Sequence, residues 1–195
     1  MKKQALYWVT LSCLFGSLTA CNSQTERKGD GTDSLASSAT VDRDTSTMVV
    51  VPNAGDTTFA TEAALSGLAE VELGQLALEK ADEQQVKDFA DMMVKDHGKA
   101  NEELQKIASD KKIMLPTALD LKHANIRDDL LSKSGAEFDK AYVAAMVDGH
   151  EKTYALMQEG AKNMVDEQLR AFAEKTAPIV KVHLERIKAI QAQLK

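Results

Sequence analysis

Beyond Thr58 the apolar residues recur at intervals of three and four, the period of an amphipathic helix. Val86, Phe89, Ala90, Met93, Ala100, Leu104 and Ile107 fall on one face of one such stretch. Leu169, Phe172, Thr176, Val180, Ile187, Ile190 and Leu194 form the stripe of another, and Val143, Met146, Thr153 and Met157 that of a third. In the most N-terminal stretch Leu65, Leu68 and Leu76 are taken as the inner face. Ala, Leu, Glu, Lys and Gln dominate throughout, all good helix formers, and nowhere does a period of two suggest a strand.

Punctuation divides this region. Asp56-Thr57-Thr58 caps a helix running to about Ala81. Asp82 with Gln85, and Ser134 with Glu137, have capping-box spacing, and Asp166 caps the last helix. Leu115-Pro116-Thr117 breaks the chain. The predicted elements are long helices over about 59–81, 84–112, 136–162 and 167–193, with a shorter helix over about 117–132. Pro178 lies inside the last helix and predicts a kink, because it removes one backbone bond. Two antiparallel hairpins joined by the long connection 113–134 describe an all-α, ferritin-like four-helix bundle spanning residues 57–195.

The beginning of the chain has a different texture. Lys2 and Lys3 precede an uncharged, mostly apolar stretch from Ala5 to Gly16, too short to span a bilayer but suited to a secretory signal. Leu18-Thr19-Ala20-Cys21 follows and resembles the lipobox of bacterial lipoproteins. That resemblance implies cleavage after residue 20 and a diacylglycerol on Cys21. Two or three acyl chains hold where a single chain is marginal. Residues 21–56, rich in Ser, Thr, Asp, Asn and Gly, then read as a disordered tether.

Charge and cysteine content narrow the function. The chain carries a formal net charge of −6, and loss of residues 1–20 removes two lysines and no acid, leaving −8. An acidic chain without a basic block argues against nucleic acid as a partner. Cys13 lies in the signal, so an acylated Cys21 leaves no thiol for disulfides or catalysis. The lipid is then the sole attachment to the membrane. Asn22 after the cysteine, where an aspartate would signal retention, favours the outer membrane with the domain facing the periplasm.

Against this background the polar residues on apolar faces stand out. His97 lies four after Met93 and three before Ala100 in its stripe. His183 lies three after Val180 and four before Ile187, and His150 aligns with Met146 and Thr153. Glu72, between Leu68 and Leu76, is assigned to the inner face of the first helix. At 1.5 Å per residue, counting from the two turns puts the members of each pair within about 6 Å of one height. Three imidazoles and one carboxylate suit Fe, Cu, Zn or Mn. Asp96, Asp139 and Asp148 are candidate partners of these ligands. A competing reading needs no metal: His and Glu form a buried hydrogen-bond network, with Met93 and Met146 as core.

Several elements together are similar to one family. They are Glu72-Leu73-Gly74, Met93-Val94-Lys95-Asp96-His97, Phe138-Asp139-Lys140-Ala141-Tyr142, Met146-Val147-Asp148-Gly149-His150 and His183-Leu184. In these the chain resembles domain of unknown function 4142, outer-membrane or secreted bacterial proteins with a ferritin-like helical fold. The resemblance covers about residues 57–193 and implies fold and envelope location, but no activity. The Glu-x-x-His pairs of di-iron ferritin-like proteins are absent, since Val94 and Val180 stand three residues before His97 and His183. Two functions stay open. One is a lipid-anchored binding or structural module of the envelope, acting in maintenance or stress. The other is a metal-binding or redox protein built on Glu72, His97, His150 and His183. No enzyme motif is legible, and the chain identifies no protein partner.

Overall fold

A computed structural model of the chain describes residues 52–194. The signal segment, Cys21 and nearly all of the predicted tether lie outside the described residues. The described chain consists of α1 (Ala54–Lys80), α2 (Gln84–Asp110), α3 (Leu121–Leu131), α4 (Gly135–Asn163) and α5 (Glu167–Gln193). Among the described residues there is no strand, and no helix is long and apolar enough to cross a membrane. α1 and α2 form one antiparallel hairpin and α4 and α5 the other. α1 packs on α4 and α2 on α5. The connection carrying α3 runs back along the bundle to start α4 beside the α1–α2 turn, the connectivity of ferritin-like bundles.

The boundaries depart from the predicted ones where capping chemistry departs. α1 begins at Ala54 rather than near residue 59, because Asn53 is its N-cap, accepting from the backbone N–H of Gly55 at 2.8 Å. Asp56, expected to cap α1, is instead buried and reaches across the bundle. Its two carboxylate oxygens accept the backbone N–H groups of Val165 and Asp166 at 3.0 and 3.2 Å. Asp139, in the first turns of α4, does the same for the other turn, accepting from Asp82 and Glu83 at 3.2 and 2.9 Å. Each hairpin therefore lends a buried aspartate to the turn of the other. The expected capping boxes do not form: the N-caps of α2 and α4 are Glu83 and Ser134, and neither makes a side-chain cap bond. Asp139 has taken over that task for α2. α5 runs as one helix through Pro178.

Removing either aspartate leaves two turn N–H groups without an acceptor at a partly buried site. Asp56→Ala and Asp139→Ala should each destabilise by about 1–3 kcal/mol. Chemical denaturation with unchanged m-value checks this, and wild-type midpoints in both variants would refute it.

Two apolar clusters fill the bundle on either side of its middle. Phe89, Met93, Phe138, Tyr142, Met146 and Ile187 lead one; Phe59, Leu104, Met157, Leu169 and Phe172 lead the other. α1 faces both with small residues: Ala60, Ala63, Ala64, Gly67, Gly74 and Ala77 are buried. A Cβ on Gly74 would stand 3.2 Å from the Ala90 carbonyl oxygen, and one on Gly67 would overlap the Asn101 side chain. The small face lets α1 and α2 approach closely. The larger Leu65, Leu68 and Leu76 lie at the flanks of α1, only partly buried.

Candidate metal centre

Between the two apolar clusters lies a polar layer. It is built from His97 on α2, His150 on α4, His183 on α5 and Glu70 on α1, all buried. The three imidazole centroids stand 5.3–5.7 Å apart. One nitrogen from each ring lies within 4.8 Å of the other two. Ligation of one ion at about 2 Å would bring these nitrogens to roughly 3.5 Å of each other, a contraction of the order of 1 Å.

Each ring is held from behind by a different group. Nδ1 of His97 lies 2.7 Å from Glu70 Oε2, an ion-pair contact that lacks hydrogen-bond alignment. Nδ1 of His150 is 2.9 Å from the Met146 carbonyl oxygen, to which it donates, and 3.6 Å from Glu70 Oε1. Nε2 of His183 lies 3.1 Å from Asp96 Oδ2 and donates to it. The remaining nitrogens, Nε2 of His97, Nε2 of His150 and Nδ1 of His183, are buried and have no partner. Glu70 Oε1 also accepts from the Thr153 hydroxyl at 3.3 Å.

The electrostatics follow from burial and proximity. Burial alone would push the Glu70 carboxyl up, but the imidazoles of His97, His150 and His183 outweigh it and hold it at about 2. Burial alone would lower His97; the Glu70 carboxylate, helped by Asp96, raises it instead. Burial lowers His150, and Glu70 offsets this only in part. Burial, then the repulsion of His97 and His150, lowers His183 to about 4. The metal-free layer is thus one carboxylate, one imidazole that favours its proton, and two imidazoles that reject theirs. Burial, and secondarily Glu70, also raises the Tyr142 phenol, whose oxygen has no partner.

The structure brings His97, His150 and His183 together and excludes Glu72. Glu72 sits on the outer side of α1 and binds Arg127 of α3 at 2.9 Å. Two residues make about 200° of helix, so Glu72 and Glu70 point to opposite sides. Of the proposed partner aspartates, only Asp96 touches the trio. Asp139 is buried at the far turn, eleven residues or about 16 Å along α4 from His150. Asp148 is exposed and pairs with Lys152. His123 is paired with Asp120 at 2.6 Å. A concavity of about 750 Å³ near Asn53, Lys111 and Asp166 holds none of the three histidines.

Residues 44–190 match the family described as Domain of unknown function (DUF4142), and the chain belongs to it. This bears out the resemblance carried by the sequence motifs. No curated protein sequence matches the chain. Among solved structures, a DUF305 fragment from Deinococcus radiodurans is similar with a TM-score of 0.65 at 9% identity, covering 73% of this chain and 99% of that one. CopM in a Cu(II)-bound form is similar with a TM-score of 0.62 at 14% identity, covering 72% and 97%. CopM in an Ag-bound form gives 0.59 at 16%, covering 71% and 96%. At such identities the likeness shows a shared helical-bundle fold and nothing finer.

Proposed function

We propose that this member of the DUF4142 family binds one transition-metal ion through His97, His150 and His183. The observation that carries the reading is the division of labour on the rings. Every imidazole has one nitrogen beside a carboxylate or carbonyl oxygen and the other buried without a partner, and one nitrogen of each ring lies within 4.8 Å of the other two. Metal-binding histidines have this arrangement, the rear partner fixing tautomer and orientation. A hydrogen-bond network without metal would satisfy those nitrogens, since buried polar atoms are normally paired. Three imidazoles with no thiolate suit Cu, Zn, Fe or Ni. Copper and silver come first to test, because CopM, which shares the fold, is seen with both. Bound there, the ion would supply a Lewis-acidic or redox centre. Glu70 and Asp96 hold His97 and His183 in place and set negative charge beside it.

Titration of chelator-stripped protein with Cu(II), Ag(I) and Zn(II) should reach one equivalent for at least one ion. Free metal at 1,000 times Kd should add about 4 kcal/mol to stability. Sub-stoichiometric binding with no change in melting temperature would sink the reading. Glu70→Gln keeps the shape but removes the charge behind His97, so affinity should fall about 10–100-fold. Competition with a chromophoric chelator measures that fall, and an unchanged Kd would show that Glu70 is only core.

We further propose that this domain is carried in the cell envelope by lipid on Cys21, on the support of the lipobox-like Leu18-Thr19-Ala20-Cys21. Lipidation implies an intact-mass increment of the acylated N-terminus. Cys21→Ser should abolish the increment and release the domain from membranes; membrane attachment surviving in that variant would exclude the anchor.

A further inference from the structure

We infer that the ion enters and leaves through the seam between α2 and α5, and that the Asp96 carboxylate is the first protein group it meets. This rests on the metal-binding reading above. The surroundings of the trio differ sharply in what they admit. Toward α1, α3 and α4 the cavity behind Glu70 and Thr153 measures about 30 Å³, space for about one water. Along the bundle axis the layer is closed by the two apolar clusters, with Phe89 and Met93 on one side and Leu104 and Met157 on the other. A hydrated cation crosses such packing only by shedding its water without compensation. Between α2 and α5, by contrast, a cleft of about 310 Å³ is lined by His97 and His183 themselves, together with Asp96, Ala100, Lys175 and Thr176.

Asp96 connects the two ends of this path. Its side chain is 39% exposed, yet Oδ2 stands 3.1 Å from Nε2 of His183, whose side chain is 2% exposed. Among the described residues no lysine or arginine lies within ion-pair distance of Asp96. Glu103, two turns further along α2, is already taken by Lys175 of α5 at 2.6 Å across the seam. Lys99 is the other cation at the mouth. Asp96 therefore remains the uncompensated carboxylate of the cleft. It attracts a cation to the mouth, and the imidazoles behind it can then replace water one ligand at a time.

Stopped-flow loading with Cu(II), and release of copper to excess chelator, test the route in the full domain. Ala100→Phe fills the cleft. It should slow loading and release alike, each by about tenfold, with Kd unchanged, because an obstacle raises the barrier in both directions. Asp96→Asn preserves shape and should slow loading by about tenfold through lost attraction. Asp148→Asn makes the same charge change on the exposed face of α4, beside the small cavity, and should load at the wild-type rate. If Ala100→Phe fails to fold, the loading rates of Asp96→Asn and Asp148→Asn decide. Wild-type loading in Asp96→Asn, or slowing in Asp148→Asn alone, overturns the route while one bound equivalent still upholds the metal site. Failure of the wild-type protein to take up any of Cu(II), Ag(I) and Zn(II) overturns both.

Discussion

The variant with His97, His150 and His183 all changed to alanine is expected to bind no copper and to gain nothing in melting temperature from added metal. The loss has two separable parts. Without metal, three buried imidazoles are replaced by methyl groups, and Glu70 and Asp96 lose their imidazole partners, Glu70 keeping only the Thr153 hydroxyl. The cavities and the stranded Glu70 carboxylate should destabilise the apoprotein by a few kcal/mol. With metal, the stabilisation of about 4 kcal/mol expected at 1,000 times Kd disappears entirely. Melting curves of wild type and variant, each with and without Cu(II), separate the parts. Metal-induced stabilisation that survives in the triple variant would move the site elsewhere. Equal losses with and without metal would mean that the histidines serve the core alone.

Acidification below pH 6.5 should destabilise the metal-free protein. In the unfolded chain His150 and His183 take up protons near their ordinary value of 6.5, but both are lowered in the fold, His183 to about 4. Between these limits the unfolded state binds more protons, so stability falls as pH falls. A shift of this size on His183 corresponds to about 3 kcal/mol at most. His97 works the other way: its raised value adds stability below 6.5 that is lost as pH climbs through the folded value. Below 6.5 the His97 contribution is complete and no longer changes, so the two lowered imidazoles set a decline there. Glu70, held at about 2 instead of 4.5, adds a further decline between those values as its carboxylate is protonated. Melting temperature from pH 7 to 4 should drop by roughly 10 °C in the wild type. It should drop much less in the triple alanine variant, and a parallel decline in both would assign acid sensitivity to other groups.

The ease of reading the centre differed from helix to helix for a physical reason. On α2, α4 and α5 the inner face carries large apolar residues, so His97, His150 and His183 appear as interruptions in obvious stripes. α1 is apolar on several faces. Its inner face is marked by small residues, because it packs closely against α2 near Gly67 and Gly74. The large Leu65, Leu68 and Leu76 drew attention to the flank and to Glu72. A search for small residues at helical spacing would have found Glu70, seven after Ala63, three after Gly67 and seven before Ala77. Asp139 and Asp148 were separable on geometry alone. One lies too far along α4 from His150, and the other faces the wrong way by about 200°. The reciprocal use of Asp56 and Asp139 left no trace in local spacing, since each serves a turn that is distant in sequence. The four-helix architecture itself was legible, because it depends on periodicity and chain breaks that each segment carries within itself.

The exchange of aspartates between the hairpins also bears on the order of assembly. Asp56 is 109 and 110 residues ahead of the two amides that it holds. During synthesis it emerges long before them, and α1 and α2 can pair while that carboxylate still faces water. The turn before α5 becomes protected only when both halves have met. Deuterium uptake at Val165 and Asp166 during refolding should therefore report docking of the halves rather than formation of either, a clock built into the last turn to close.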